Sequence, residues 1–213
     1  MVPDAAPAPP LADLTLLDWR RRLADLYAEV RAGYATDPAA AHAHWQRVRA
    51  ELYRQHPQSP LPPERRSSFM DLPVWPYDLA YAFEAPLLGG LPEDAFVVQT
   101  SAGHDLPLRR LGRLPLHNDY HDLGTLDAYW IEVYGGGLFI PFRDASAGHT
   151  SYGGGRYLLD TVKSADLGSR DRRLILDFNF AYHPSCFHDP RWSCPLAPPQ
   201  NVLVAEIRAG ERL

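Results

Sequence analysis

The sequence is poor in cysteine and has no long apolar run, and each shortage excludes a class of protein. Its 213 residues include only two cysteines, Cys186 and Cys194, which are too few for a disulfide scaffold. No apolar stretch approaches the ~20 residues that span a bilayer. Residues 1–4 lack the charged and apolar regions of a signal peptide. We therefore expect a soluble cytoplasmic protein with no membrane partner.

The sequence also lacks an excess of basic residues. Its 21 lysines and arginines are outnumbered by 26 aspartates and glutamates, which gives a formal net charge of -5 at pH 7. Domains that bind nucleic acid usually present a basic stripe, so we expect no nucleic-acid partner. The one basic run, Arg20-Arg21-Arg22, lies in an apolar-periodic segment and is interpreted as the solvated face of a helix.

The first quarter of the chain carries helical signals. Apolar residues from Leu16 to Val30 recur at three- and four-residue steps, and Asp37 with Pro38 provides the N-cap and first position of a second helix. A Pro-rich segment then ends the helical pattern. We divide the chain into a disordered tail at 1–10, a helical hairpin packed on the domain at 11–56, an extended Pro-rich connector at 57–78 and an antiparallel β domain at 79–213.

Beyond the connector, the pattern changes to short β-rich runs separated by Gly, Pro and Asp. No helix of crossover length separates these runs, so a parallel α/β sheet is disfavoured. The sequence therefore predicts a mainly β fold, an antiparallel β-sandwich or barrel with an N-terminal helical hairpin. The predicted runs are Ala80 to Leu87, Ala95 to Thr100, Leu106 to Leu111, Thr125 to Val133, Leu138 to Phe142, Tyr157 to Val162, Leu174 to Phe180 and Val202 to Ile207.

Two glycine triplets, each behind a tyrosine, are the strongest local signal. They lie in Tyr134–Phe139 and Tyr152–Tyr157 and hold six of the fifteen glycines. Because glycine loses more backbone entropy on ordering than any other residue, its use beside strands indicates positive φ angles, bulges or the close approach of another group. We expect turns whose flanking strands are sheet neighbours and whose polar residues converge. Neither triplet fits the glycine patterns of nucleotide-binding loops.

A wider set of motifs resembles a known family. The chain contains YGGGLF-x-PFRD at 134–144, TxYGGGRYLLD at 150–160, DFN-x-AY-x-PxC at 177–186 and CPLxPPxN at 194–201. With upstream segments at 18–20 and 56–60, these motifs resemble a bacterial and archaeal family catalogued only as a domain of unknown function, and the similarity covers nearly the whole chain. The resemblance implies a shared site and brings no established reaction.

The segment 177–194 concentrates His, Cys and Asp side chains. Zinc sites usually contain close cysteine pairs, whereas Cys186 and Cys194 have seven residues between them, so we expect no metal and no cofactor. The other interpretations are a proline-braced loop with buried free thiols and a local disulfide. Cys186 is also a candidate nucleophile, because His183 and His188 lie within three residues of it.

The charged residues around the glycine triplets predict a site for a small, anionic ligand. Arginine forks suit carboxylate and phosphate groups, so Arg143 and Arg156 are expected to hold the anion, with nearby aspartates orienting them. The alternative is that Arg156 pairs with one of these aspartates and only braces the sheet. The predicted ligand-binding residues are Arg143, Asp144, Thr150, Tyr152, Arg156, Tyr157, Asp160, Asp177, Asn179 and Tyr182.

Two other functions are consistent with the sequence. A hydrolase or transferase could use a carboxylate or a thiol, and its candidate catalytic residues are Asp144, Asp177 and Cys186. A partner-docking protein could use the helical hairpin of residues 11–56. Whether the chain is an enzyme, and its oligomeric state, are therefore left open.

Overall fold

The computed structural model describes residues 12–89 and 95–213, and the tail predicted at 1–10 lies outside them. The helices are α1 (Ala12–Tyr34), α2 (Pro38–Gln55), α3 (Pro63–Arg66) and α4 (Ser185–His188). The strands are β1 (Ala82–Pro86), β2 (Ala95–Gln99), β3 (Asp105–His117), β4 (Asp122–Ile131), β5 (Gly137–Phe142), β6 (Arg156–Asp160), β7 (Ser169–Arg170) and β8 (Arg173–Asp177). Short 3₁₀ turns lie at Leu79–Tyr81, Thr161–Lys163, Phe178–Phe180 and Pro199–Asn201. Within the two described ranges, no helix combines the length and apolar character that crossing a bilayer requires.

The strands form two antiparallel sheets. The larger sheet has the order β2-β3-β4-β5-β6 and curves as a half-barrel, and the smaller sheet has the order β1-β8-β7. Each strand of the larger sheet pairs with its neighbour in the sequence, so the sheet is a series of hairpins. The prediction of a mainly β fold with an N-terminal helix pair is confirmed.

The helical hairpin shares an aromatic core with the β-rich part of the chain. Asp37 caps α2 by accepting a hydrogen bond from the backbone N–H of Ala40 at 2.9 Å. Trp45 on α2 is completely buried and packs edge-on against Phe180, with ring centroids 5.5 Å apart. Val30 on α1 belongs to the same cluster. The apolar face of the hairpin is therefore used inside the molecule.

The glycine triplets form tight turns beside neighbouring strands, as expected. Residues 132–136 connect β4 to β5, and Gly135 and Gly136 have φ angles of 86° and 42°. The second triplet ends at Gly155, which has a φ of 92° and directly precedes β6. Because β4, β5 and β6 are consecutive in the larger sheet, the strands that flank the two triplets lie side by side.

Gly155 lies where a side chain does not fit. A Cβ atom there would collide with the carbonyl oxygen of Phe142 and lie 2.8 Å from Cγ of Arg143. We expect Gly155→Ala to lower the free energy of unfolding by about 2–4 kcal/mol, because this clash adds to the cost of a positive φ. Urea denaturation followed by tryptophan fluorescence measures the change.

Gly148→Ala is the matched control for that substitution. Gly148 also has a positive φ, at 83°, but its Cβ position is open space. It should therefore lose only the conformational part, about 1 kcal/mol. Equal losses at Gly148 and Gly155 would show that the predicted clash is relieved at no cost.

The predicted strand from Val202 to Ile207 is wrong, because this segment is irregular and makes only an isolated bridge between Val202 and Arg143. Its backbone is held partly by side chains: the Asp144 carboxylate accepts a hydrogen bond from the Ile207 N–H at 2.6 Å. Side-chain partners satisfy backbone groups as well as a neighbouring strand does, and an alternation of apolar residues does not distinguish the two. The sequence also gives no sign of β7, which is only two residues long.

Candidate functional site

Arg156, predicted to hold an anion, is engaged by the protein itself. It is 1% exposed, and Nη2 donates to the Asp144 carboxylate at 3.3 Å. Its two Nη atoms also donate to the carbonyl oxygens of Ile207, Ala209 and Glu211. Burial lowers the pKa of Arg156, and the Asp144 carboxylate opposes that shift. Arg156 therefore braces the C-terminal segment, and its ion pair with Asp144 matches the structural alternative.

Arg143, the second predicted anion ligand, is half-buried directly after β5. Its backbone N–H donates to the carbonyl of Asn201 at 2.9 Å, and its carbonyl accepts from the N–H of Leu203 at 2.8 Å. Its Nε is buried and has no hydrogen-bond partner in the described part of the chain. Thr150 is exposed.

A second group of predicted residues surrounds Asp160 at the end of β6. The Tyr182 hydroxyl donates to Asp160 Oδ2 at 3.1 Å, and Lys163 Nζ lies 3.8 Å from the same oxygen. Tyr157 packs edge-on against Tyr182 with centroids 5.7 Å apart and donates its hydroxyl to the carbonyl of Pro195 at 2.6 Å. These contacts join β6 to the chain segments that carry Tyr182 and Pro195.

Asp177 and Asn179 form a third group, at the end of β8. The Asp177 carboxylate is completely buried and accepts hydrogen bonds from the hydroxyls of Tyr34 at 3.0 Å and Tyr77 at 3.2 Å, and from the Asn179 N–H at 2.9 Å. Burial raises the pKa of Asp177 to about 6. The side-chain amide of Asn179 accepts a hydrogen bond from the Asp78 N–H at 3.0 Å and donates one to the Asp78 carbonyl at 2.8 Å. The group ties β8 to α1 and to the connector.

Cys186 lies beside Cys194, and both are free thiols. The backbone N–H of Cys186 donates to Cys194 Sγ at 3.3 Å, and the Tyr152 hydroxyl lies 3.8 Å from Cys186 Sγ. A hydrogen bond from the Cys194 thiol lowers the pKa of Cys186 to about 6, against the effect of burial. The loop therefore contains two free thiols and not the local disulfide that the sequence also allowed.

The predicted site residues thus lie in separate groups. A cavity of about 230 Å³ is lined by one of the ten predicted ligand-binding residues, Tyr182. This cavity lies between the helical hairpin and the β-rich part of the chain. Among the described residues, its lining includes three basic side chains and no carboxylate. The lining residues are Leu16, Trp19, Arg20, Leu23, Tyr27, Arg49, Tyr53, Gln58, Pro60, Lys163, Ala165, Tyr182, Ser185, Trp192, Ser193 and Cys194.

Arg49 is the buried basic residue of the cavity, with 4% of its surface exposed. Nη2 donates to Glu211 at 2.7 Å and to the Tyr53 hydroxyl at 2.9 Å. Its guanidinium carbon lies 4.9, 5.1 and 4.7 Å from the ring centroids of Trp45, Tyr53 and Tyr182. Nε is buried and has no hydrogen-bond partner in the described ranges. An unpaired buried donor costs about 1–3 kcal/mol.

Two further basic side chains line the cavity nearer to solvent. Arg20 is exposed, donates to the carbonyl of Val162, and forms no ion pair with a carboxylate in residues 12–89 or 95–213. Lys163 is partly exposed, with Nζ 5.4 Å from the ring centroid of Tyr157. A ligand in the cavity would therefore meet one buried and two accessible cations.

Sequence reasoning missed Arg49, although α2 contains a signal for it. Arg49 follows Trp45 by four residues and therefore lies on the same helix face, which is the apolar face. A charged residue on a buried helix face must be paired or must serve a site, because burying an unpaired charge is costly. That position could have identified the helical hairpin as part of the candidate site.

Comparison with known proteins gives a family and no reaction. A family model described as "Protein of unknown function (DUF1684)" matches residues 67–212, which is more than half of the chain. A solution NMR structure of an uncharacterized protein from Haloarcula marismortui is 31% identical, with 85% of this chain and 95% of that chain covered and a TM-score of 0.58. None of the curated proteins matches this chain. The α1 and α2 walls of the cavity precede the residues that the family model matches.

Proposed function

This chain belongs to a family of proteins of unknown function, DUF1684, and we propose that it binds a small anionic molecule with an apolar body in the cavity lined by Arg49 and Tyr182. The sequence predicts an anionic ligand from the arginines beside the glycine triplets. We keep that class of ligand and assign it to the cavity, where Tyr182 is the residue shared with the predicted set.

The charge of the cavity lining carries this proposal. In the part of the chain that the structure describes, three basic side chains and no carboxylate line the cavity. Glu211 forms an ion pair with Arg49 and is not one of the lining residues, and Asp160 lies near Lys163. Arg20 therefore supplies the unbalanced positive charge. Carboxylate and phosphate groups suit this arrangement because their oxygens accept several charge-assisted hydrogen bonds.

The rest of the lining favours a ligand with a flat apolar body. Five aromatic side chains contribute to the walls, and they can pack against a ring or a short hydrocarbon. Pockets for drug-sized ligands measure about 300–1,000 Å³, so a cavity of about 230 Å³ suits a smaller compound, such as one ring with one acid group. The aromatic residues are Trp19, Tyr27, Tyr53, Tyr182 and Trp192.

Small aromatic acids test the proposal. Phenyl phosphate and benzoate are titrated against the isotope-labelled chain by NMR, with benzyl alcohol and benzamide as neutral analogues. We expect the acids to bind with dissociation constants of about 1 mM, as befits their size, and the neutral analogues to bind at least about tenfold more weakly. The indole signals of Trp19 and Trp192, which line the cavity, should shift, and that of Trp130, which lies outside it, should not.

Arg20→Ala and Arg21→Ala form a matched pair for the same titration. Both arginines are exposed on α1, and Arg20 lines the cavity whereas Arg21 does not. Removing one partly solvated charge costs about 1 kcal/mol, so Arg20→Ala should weaken benzoate binding about fivefold and Arg21→Ala should leave it unchanged. Equal affinities in the two variants, or equal binding of acids and neutral analogues, would contradict an anion site.

A further inference from the structure

Cys186 and Cys194 lie next to each other in the fold. Cys186 lies on α4, and its backbone N–H donates to Cys194 Sγ at 3.3 Å. The chain from Cys186 to Cys194 therefore folds back and brings the Cys194 sulfur against the backbone of Cys186.

The two thiols differ in accessibility and in acidity. Cys186 is half-buried, with the Tyr152 hydroxyl 3.8 Å from its sulfur, whereas Cys194 is 4% exposed and lines the cavity. Hydrogen bonding to Cys194 lowers the pKa of Cys186 to about 6, and the same hydrogen bond together with burial raises the pKa of Cys194. Cys186 is thus the less buried and the more acidic thiol, and Cys194 is its protonated neighbour.

We propose that Cys186 and Cys194 are a redox couple that a hydroperoxide oxidises to an intramolecular disulfide. The Cys186 thiolate attacks one peroxide oxygen, the O–O bond breaks, and the departing alkoxide takes a proton from solvent, which leaves Cys186 as a sulfenic acid. Cys194 then attacks the Cys186 sulfur. The S–S bond forms as the S–O bond breaks, and hydroxide leaves with the Cys194 proton as water. The thiols together lose two electrons, and the hydroperoxide is reduced to an alcohol and water.

Hydrogen peroxide tests this couple in the unmodified full-length chain. Addition of a stoichiometric amount near neutral pH should remove both titratable thiols and reduce the intact mass by two hydrogen atoms, and dithiothreitol should reverse both changes. Trypsin cleaves after Arg191, which lies between the two cysteines, so the disulfide is detected as two linked peptides. Before oxidation, iodoacetamide should label Cys186 on the order of tenfold faster than Cys194.

Single substitutions separate the two roles. In Cys194→Ser, peroxide should leave Cys186 as a sulfenic acid that dimedone traps. In Cys186→Ser, Cys194 should react slowly until the chain is unfolded, because its thiol is buried. Circular dichroism checks that each variant is folded, and the experiment on the unmodified chain does not depend on them.

Three results would overturn the proposal. The first is a native chain that keeps both thiols under peroxide, and the second is a sulfenic acid on Cys186 that persists in the presence of Cys194. The third is oxidation that yields only disulfides between separate chains, because the contacts between Cys186 and Cys194 require the bond to form within one chain.

Discussion

Replacing Arg156 by leucine should lower the free energy of unfolding by about 3–5 kcal/mol, the cost of removing one partner from a buried ion pair. The substitution leaves the Asp144 carboxylate without its countercharge and three backbone carbonyls of the C-terminal segment without their donor. Leucine keeps an apolar side chain at this position, so the loss reports the polar contacts more than the packing. Urea denaturation followed by tryptophan fluorescence measures the change.

Arg143→Leu is the control for that prediction. Arg143 is also an arginine beside a glycine triplet, but it is half-buried and its buried Nε has no partner in the described residues. We expect its replacement to change the stability by less than about 1 kcal/mol. Carboxypeptidase should also digest the chain beyond Ile207 faster in Arg156→Leu than in Arg143→Leu. Equal stability losses in the two variants would refute the bracing role of Arg156.

Acidification below about pH 6.5 should destabilise the fold steeply because of two buried histidines. Burial lowers the pKa of His183 to about 2 and that of His188 to about 3. The unfolded chain takes up these protons near pH 6.5 while the folded chain does not, so each histidine removes about 1.4 kcal/mol of stability per pH unit below that value. Asp177 acts in the opposite sense between about pH 6 and 4, because its raised pKa makes the folded state protonate first.

Two substitutions should change this pH dependence in opposite directions. His188 has a buried Nε2 with no hydrogen-bond partner in the described ranges, and its ring packs edge-on against Tyr53, so His188→Phe keeps the ring contacts and removes the titration. Its stability should fall less steeply with acid, by about 1.4 kcal/mol per pH unit. Asp177→Asn removes the opposing term, so its stability should fall more steeply. Urea midpoints between pH 7.5 and 4.5 give these slopes, and parallel slopes in all three proteins would contradict the assignment.

Much of the fold could be predicted because its signals are local. Asp37 and Pro38 begin α2 where their capping chemistry indicates. The glycine triplets produce turns beside sheet neighbours, because glycine adopts the positive φ angles of these turns without the steric cost of a side chain. The segment after Asn201 escaped prediction, because Asp144 and Arg156, which bind its backbone, lie more than fifty positions earlier in the chain.

The cavity could not be located from the sequence for a related reason. Arg20 and Arg49 lie on the two consecutive helices of the hairpin, whereas Lys163 lies more than a hundred positions later, and only the docking of the hairpin brings all three to one cavity. The sequence instead indicated Arg143 and Arg156 as the anion ligands, because those residues lie in the same motifs as the glycine triplets. Residues that are adjacent in the sequence belong to one turn or strand, whereas the charged lining of a cavity depends on which elements pack together.

Glu211 has a consequence for how fast the molecule can fold. Its carboxylate accepts hydrogen bonds from Arg49 on α2 and from the backbone N–H of His183, each at 2.7 Å, and Arg49 lies 162 positions earlier in the chain. The entropy of closing so long a loop must be lost before this contact stabilises anything. Refolding should therefore be limited by the encounter of the two distant halves of the chain, even though the helices themselves form from neighbouring residues within microseconds.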